Sequence, residues 1–206
     1  DVEQTFEFDV LGQPDLVNVE AENMLLGTKN ETLTEAEYAF MLKNAPYFLD
    51  KVEALKGLKG TSNQEAITAM LNTLEDEYWG TRKSALQALK SVSVSDTSLL
   101  KNKLIWLAQK DEKSSVRAEA VSYLASTFSA DKNVQSVIEG KMQDESYRVL
   151  GSALKAIAEY NADKALSLAK QAEKDASGSL VSAIASLYSK KGGADQLDFF
   201  TNNIEK

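Results

Sequence analysis

The chain has 206 residues and a formal net charge of −8, and it contains neither cysteine nor histidine. These absences exclude a disulfide, a thiol nucleophile, a zinc–thiolate site and histidine-based catalysis by this polypeptide. The acidic balance argues against a nucleic-acid partner, because affinity for a phosphate backbone comes largely from clustered Lys and Arg. Uninterrupted apolar runs are only a few residues long, so no segment is predicted to span a membrane.

The N-terminal segment, residues 1–30, alternates between apolar and polar side chains. Phe6, Phe8 and Val10 fall on one side of an extended chain, and a similar pattern resumes after the GQP turn that ends at Pro14. A period of two predicts two or three β-strands. Because so few strands are marginal on their own, we expect the segment to belong to a larger sheet or to lie against the helices.

A helical period begins after Thr32 and predicts a helical repeat domain over residues 31–206. Thr34 and Glu37 have the capping-box spacing at the start of the first helix. The later helices recur about every 30 to 35 residues when the chain is aligned on a small residue and an apolar residue four positions further on. These pairs are Ala54 and Leu58, Ala85 and Leu89, Ala120 and Leu124, Ala153 and Ile157, and Ala183 and Leu187.

A repeat of this length made of paired helices predicts an α-α superhelix, a solenoid of helical hairpins. No hairpin buries its own apolar face, so each stacks on its neighbours. The small residue lets the backbones of two helices approach closely. The fold class is therefore expected to be mainly α, with a short N-terminal β-strand segment.

Two of the repeats carry an Asp with an Arg six positions later. The pairs are Asp76 with Arg82 in DEYWGTR and Asp111 with Arg117 in DEKSSVR, whereas Leu150 stands six positions after Asp144. The pattern resembles the HEAT-repeat signature, in which such residues commonly bond across neighbouring repeats. We interpret the four residues as a structural repeat ladder, because charges at helix ends usually serve capping and pairing and seldom catalysis.

Two other groups of residues are candidate sites. The acidic run at residues 75–77 lacks the alternating ligand spacing of a calcium loop, so we interpret it as a charged turn. Aromatic residues near the starts or middles of the second helices are candidates for contact with a peptide or a partner, and packing between repeats is the competing interpretation. These candidates are Tyr78, Trp79, Tyr123, Tyr147 and the neighbouring Arg148.

The first ninety residues resemble a domain junction in bacterial aminopeptidases of the aminopeptidase N family. The resemblance lies in FEFDVLGQPDLVNVEAENMLLGTK at residues 6–29 and YAFMLKNAPYFLDKVEALKGL at residues 38–58. In that family a β-sandwich domain ends in a similar strand and passes into a helical C-terminal domain. The pattern of the family's next helices is matched by Tyr47, Leu49, Asp50, Lys51, Glu53, Ala54 and Leu55. The segment DEYWGTRKSALQAL is similar to the HEAT-like forms of that domain.

The family consists of zinc aminopeptidases that bind the peptide N-terminus with a GxMEN loop and bind zinc with HExxH and a distant Glu. None of these motifs occurs in the chain. The resemblance therefore implies a non-catalytic C-terminal domain that covers the active-site cleft and limits peptide access. Its partners are then the catalytic domain of the same chain and the peptide substrates. It holds no cofactor itself, the zinc belongs to the parent enzyme, and residues 1–30 are the end of a preceding β-sandwich.

The alternative is a stand-alone HEAT-like scaffold that binds another protein. A HEAT-like nucleic-acid enzyme is disfavoured by the negative charge. The lack of cysteine and the family resemblance together favour a periplasmic or extracellular location and leave the cytoplasm open.

Overall fold

The computed structural model describes residues 4–22, 24 and 26–203, and most of these residues lie in α-helices. The fold is therefore mainly α, as the helical period predicts. The helices are α1 (Glu35–Asn44), α2 (Phe48–Gly57), α3 (Gln64–Asn72), α4 (Trp79–Leu89), α5 (Thr97–Lys110), α6 (Ser114–Phe128), α7 (Lys132–Gly140), α8 (Tyr147–Tyr160), α9 (Ala162–Ala172), α10 (Ser179–Lys191) and α11 (Leu197–Asn203). Short 3-10 turns follow α3, α7 and α9 and precede α11.

The predicted N-terminal strands are not confirmed, since none of the residues described before α1 is in a strand. A strand needs a ladder of backbone hydrogen bonds to a neighbouring strand, and no such ladder forms within the described residues. The apolar side of the predicted alternation faces solvent, with Phe6 69% and Phe8 83% exposed. The segment is tied to the helices further along, where Lys29 forms an ion pair of 3.2 Å with Glu53 of α2.

Neighbouring helices pack as hairpins along the chain. Each odd-numbered helix from α1 to α9 contacts the even-numbered helix that follows it. The even-numbered helices also contact one another in series, from α2 through α4, α6 and α8 to α10. None of the helices in the described ranges has the length and apolar character that crossing a membrane requires.

The small residues of the sequence alignment all lie in the core. All five alanines of that alignment are completely buried, and four of the five apolar partners are equally buried, Leu187 being 6% exposed. At Gly151 the backbones of α8 and α10 approach closely, because a Cβ there would lie 2.9 Å from the Ser179 backbone oxygen at the start of α10. One continuous core runs from Ala39 to Phe199, and burial of each large aliphatic side chain in it contributes roughly 1.5–3 kcal/mol.

The first helix begins where the sequence predicts. The Thr34 hydroxyl accepts a hydrogen bond from the Glu37 backbone N–H, and the Glu37 carboxylate accepts one from the Thr34 backbone N–H at 2.7 Å. The capping box is therefore confirmed. The Thr34 backbone N–H and hydroxyl hold the pKa of Glu37 below its usual value.

Candidate functional site

The ladder residue Arg82 binds the carboxylate of the following hairpin. Its Nε and Nη2 donate to Asp111 at 2.7 and 2.9 Å. Its Nη1 donates to the backbone oxygens of Asp76 and Glu77 at 2.8 and 2.9 Å. Arg82 is 8% exposed and Asp111 is 4% exposed, so this is a buried, charge-assisted pair. It joins the turn before α4 to the turn before α6.

The second rung repeats this geometry one hairpin further on. Arg117 donates to the two carboxylate oxygens of Asp144 at 2.9 and 2.8 Å and to the backbone oxygens of Asp111 and Glu112. Lys141 adds an ion pair of 3.1 Å to the same carboxylate. Asp144 therefore belongs to the ladder even though no Arg stands six positions after it.

A lysine provides an earlier rung. Lys51 of α2 binds Asp76 at 2.6 Å. A cation of α2, α4 and α6 thus binds the aspartate between the two helices of the following hairpin. Each aspartate also accepts the backbone N–H two residues further on, and the distance for Asp76 is 2.9 Å. These carboxylates thus fix the turns and join the repeats at the same time.

Hydrogen bonds across two of the rungs shift the pKa values of Arg82, Arg117 and Asp144 toward the charged forms. The hydrogen bonds that Arg82 donates to Asp111 raise the pKa of Arg82 despite the opposing effect of burial, and those that Arg117 donates to Asp144 do the same for Arg117. Burial raises the pKa of Asp144, but hydrogen bonds from Arg117, the Ser146 N–H and Lys141 outweigh it and hold that pKa below its usual value. The carboxylate oxygens of Asp111 and Asp144 are occupied as acceptors, and each carboxylate joins its turn to the arginine of the preceding hairpin.

The acidic run at residues 75–77 is divided between different partners. The Glu75 carboxylate accepts a hydrogen bond from Lys103, and Asp76 is held by Lys51. Among the described residues, no group of three or more His, Cys, Asp or Glu side chains is arranged to hold a metal ion.

The structure groups Tyr78 and Trp79 with an aromatic residue that the sequence did not single out. Tyr78 and Phe48 make an edge contact with ring centroids 5.0 Å apart, and Tyr78 lies 5.6 Å from Trp79. Tyr78 is exposed and Trp79 is half-buried. Tyr47 and Tyr78 are the residues immediately before α2 and α4. This equivalent position in the first two hairpins is the feature of the sequence that could have linked their aromatic residues.

Tyr123 lies in the core and is not available to a partner at the surface. It is 4% exposed, and its hydroxyl donates to the Leu89 backbone oxygen at 2.8 Å. Burial raises the pKa of Tyr123 to about 12. Tyr147 and Arg148 are both exposed at the start of α8, two hairpins further along than the Tyr78 cluster.

An exposed tryptophan that the sequence did not single out lines two neighbouring cavities. Trp106 of α5 is 58% exposed. It stands between a cavity of about 490 Å³ and another of about 260 Å³, which share Leu74 and Glu75. We call this feature the Trp106 groove, defined by Leu74, Glu75, Glu77, Trp106 and Glu112. The sequence signal was that Trp106 stands outside the spacing of the buried Leu100, Leu104 and Leu107.

Comparison with known proteins gives no family for this chain: no family model matches it, and no curated protein is significantly similar to it.

Proposed function

We propose that the chain is a HEAT-like α-α superhelix that serves as the non-catalytic C-terminal domain of a zinc aminopeptidase of the aminopeptidase N family. It covers the active-site cleft of the catalytic domain and limits the access of peptides. The zinc and the catalytic residues belong to the parent enzyme.

The observation that carries this proposal is the contact between the two stretches that resemble the family junction. Lys29, at the end of the first stretch, forms an ion pair of 3.2 Å with Glu53 in the second. Tyr47 donates from its hydroxyl to Glu22 at 3.3 Å. The residues that resemble a strand-to-helix junction thus meet at the first helical hairpin, which is the relationship such a junction requires.

The superhelix is supported by the order of the helix contacts and by the ladder. Each hairpin packs on the next through its second helix. The rungs of Lys51, Arg82 and Arg117 join successive turns at a repeating position. A stack whose units contact only their neighbours gives an extended surface, which suits a domain that has to cover a cleft.

The exposed apolar side of the N-terminal segment supports the proposal that this segment belongs to a β-sheet outside the helical part. Phe6, Phe8 and Val10 are 65 to 83% exposed and alternate with acidic residues. A row of large apolar side chains is costly to leave in water. Its alternation fits the edge of a β-sandwich, and the occupant proposed for this side is the sandwich domain of the same chain.

A stand-alone scaffold for protein–protein interaction is the second candidate. The Trp106 groove favours it, because exposed tryptophans in concave sites are frequent centres of protein interfaces.

The test is peptidase activity of the native full-length protein, purified from its source through an affinity tag on the chromosomal gene. We expect zinc-dependent release of N-terminal residues, with a higher kcat/KM for an aminoacyl arylamide than for a decapeptide. Asp111→Asn weakens the contact with Arg82. It is expected to change kcat/KM for the decapeptide and to leave kcat/KM for the arylamide the same. The matched control is Glu65→Gln, which alters an exposed ion pair. A native protein with no zinc-dependent peptidase activity contradicts the proposal.

A further inference from the structure

The Trp106 groove combines a free aromatic face with an apolar base. The Trp106 side chain is 58% exposed, whereas Leu74 and Leu107 beneath it are 1% exposed each. The two cavities on its sides give access to the ring. An exposed indole ring beside a cavity favours binding, because contact with a partner removes the apolar area of the ring from water. The tryptophan side chain is also rigid, so little of its own conformational freedom is lost.

The charge of the groove selects the partner. The larger cavity is lined by five acidic residues and two basic ones. One of the bases, Arg82, is already bound to Asp111 through two hydrogen bonds, and the other is Lys110. The rim is therefore negative, which complements a cationic group.

Two of the rim carboxylates are accessible to a partner. Glu112 is exposed, its side chain 72% accessible, and its nearest cation in the described part of the chain is Arg82, 4.0 Å away. Glu77 is exposed as well, and no ion pair to its carboxylate occurs among the described residues. By contrast, Glu75 is bound to Lys103. Glu77 and Glu112 thus supply the negative charge beside the Trp106 ring.

We propose that the Trp106 groove binds an arginine side chain of an extended segment of a partner polypeptide. The guanidinium stacks on Trp106 and pairs with Glu77 and Glu112. Arginine fits better than lysine, because its planar, weakly hydrated group stacks on aromatic faces and donates to carboxylates in a fork. The proposal goes beyond the proposed function, since it requires neither a catalytic domain nor a sheet.

The experiment uses the 206-residue chain labelled with ¹⁵N and an acetylated, amidated Gly-Gly-Arg-Gly-Gly peptide. The indole N–H signals of Trp79 and Trp106 are assigned with Trp79→Phe. We expect the arginine peptide to shift the Trp106 signal and not that of Trp79. The same peptide with Gln in place of Arg is expected to bind about tenfold more weakly, and the difference is expected to shrink as salt increases.

Variants separate the stacking from the charge. Trp106→Ala and the double variant Glu77→Gln with Glu112→Gln are each expected to weaken the arginine peptide about tenfold. The control is Glu35→Gln with Glu145→Gln, which removes the same charge from exposed positions outside the groove and is expected to leave binding unchanged. The ¹⁵N spectrum of each variant checks its fold. The proposal is overturned by an unshifted Trp106 signal, by equal binding of the Gln peptide, or by equal weakening in the control.

Discussion

Arg82 binds both carboxylate oxygens of Asp111, at 2.7 and 2.9 Å, and the two residues belong to successive helical hairpins. Because both side chains are buried, the contact couples the position of one inter-helix turn to the next. The same relationship recurs between Arg117 and Asp144. Neighbouring repeats are therefore joined by charge as well as by apolar packing.

Removal of one partner of this pair is expected to destabilise the chain strongly. Asp111→Asn leaves the buried Arg82 guanidinium with only the exposed Glu112 carboxylate, 4.0 Å away, as a near counter-charge, and we expect the free energy of unfolding to fall by roughly 3 kcal/mol. Urea unfolding followed by circular dichroism measures it. Glu65→Gln removes the exposed Lys43–Glu65 pair and is expected to cost far less, because solvent screens that pair. Equal losses in the two variants contradict a role for the buried ladder.

Replacement of Asp50 by Val is expected to stabilise the chain. Asp50 is completely buried, and neither of its carboxylate oxygens has a hydrogen-bond partner among the residues that the structure describes. It precedes Lys51 as Val116 precedes Arg117, and Val116 is equally buried. A buried polar group without a partner costs about 1–3 kcal/mol, so we expect Asp50→Val to raise the free energy of unfolding by a similar amount.

Urea unfolding of Asp50→Val and of Asp50→Asn checks this. The Asn variant keeps polar atoms in the same place and is expected to gain less than the Val variant. A loss of stability in Asp50→Val shows that the carboxylate has a stabilising partner, and it refutes the prediction.

A side chain at position 151 is expected to push α8 away from α10. A Cβ at Gly151 would lie 2.9 Å from the backbone oxygen of Ser179 and 3.4 Å from the Ala183 Cβ. We expect Gly151→Ala to lower the free energy of unfolding by about 1–3 kcal/mol, since backbone atoms have to move. At Gly140 an added Cβ meets nothing within 4 Å. Thermal melts of both variants check this, and Gly140→Ala is expected to be neutral or slightly stabilising. Gly151→Ala with an unchanged melting temperature rules out the close approach.

Tyr123 predicts a loss of stability at alkaline pH. Burial raises the pKa of Tyr123 to about 12 in the folded chain, against about 10 when unfolded. The folded state thus favours the neutral phenol. The contribution of this pKa difference to the free energy of unfolding is complete below about pH 10, and it declines as the pH rises toward about 12. Tyr123→Phe is expected to cost about 1 kcal/mol at neutral pH, where it loses the hydrogen bond to Leu89.

The same variant is expected to reduce the decline of stability between about pH 10 and pH 12. Denaturant unfolding at a series of alkaline pH values measures the slope, with the exposed Tyr147→Phe as the control. An unaltered slope in Tyr123→Phe shows that this phenol does not couple folding to pH.

The helical part of the fold was readable from sequence because its signal is local. Ala54 and Leu58, and their counterparts in later repeats, lie four positions apart on one face of a helix, and burial of that face is what the spacing encodes. The formation of the N-terminal strands is not decided by a local pattern alone. Alternation at Phe6 and Phe8 is present, but a strand also requires a neighbour.

The candidate site was harder to predict because it depends on contacts between repeats. The spacing marked Asp111 and Arg117 as ladder residues that bond across neighbouring repeats, but it did not single out Asp144 as the carboxylate that Arg117 binds. Tyr123 has the residue type of a recognition surface, but its position on α6 directs it to Leu89 of α4. The exposure of Trp106 depends on how the turn at Leu74 packs beside α5, and no spacing within α5 encodes that packing.

The central claim is that this chain serves as the non-catalytic C-terminal domain of a zinc aminopeptidase. The most direct measurement is the intact mass and zinc content of the native protein, purified through an affinity tag on its chromosomal gene. The account predicts a polypeptide several times larger than 22.5 kDa that carries about one zinc ion per chain. A metal-free native polypeptide of 22.5 kDa would contradict it.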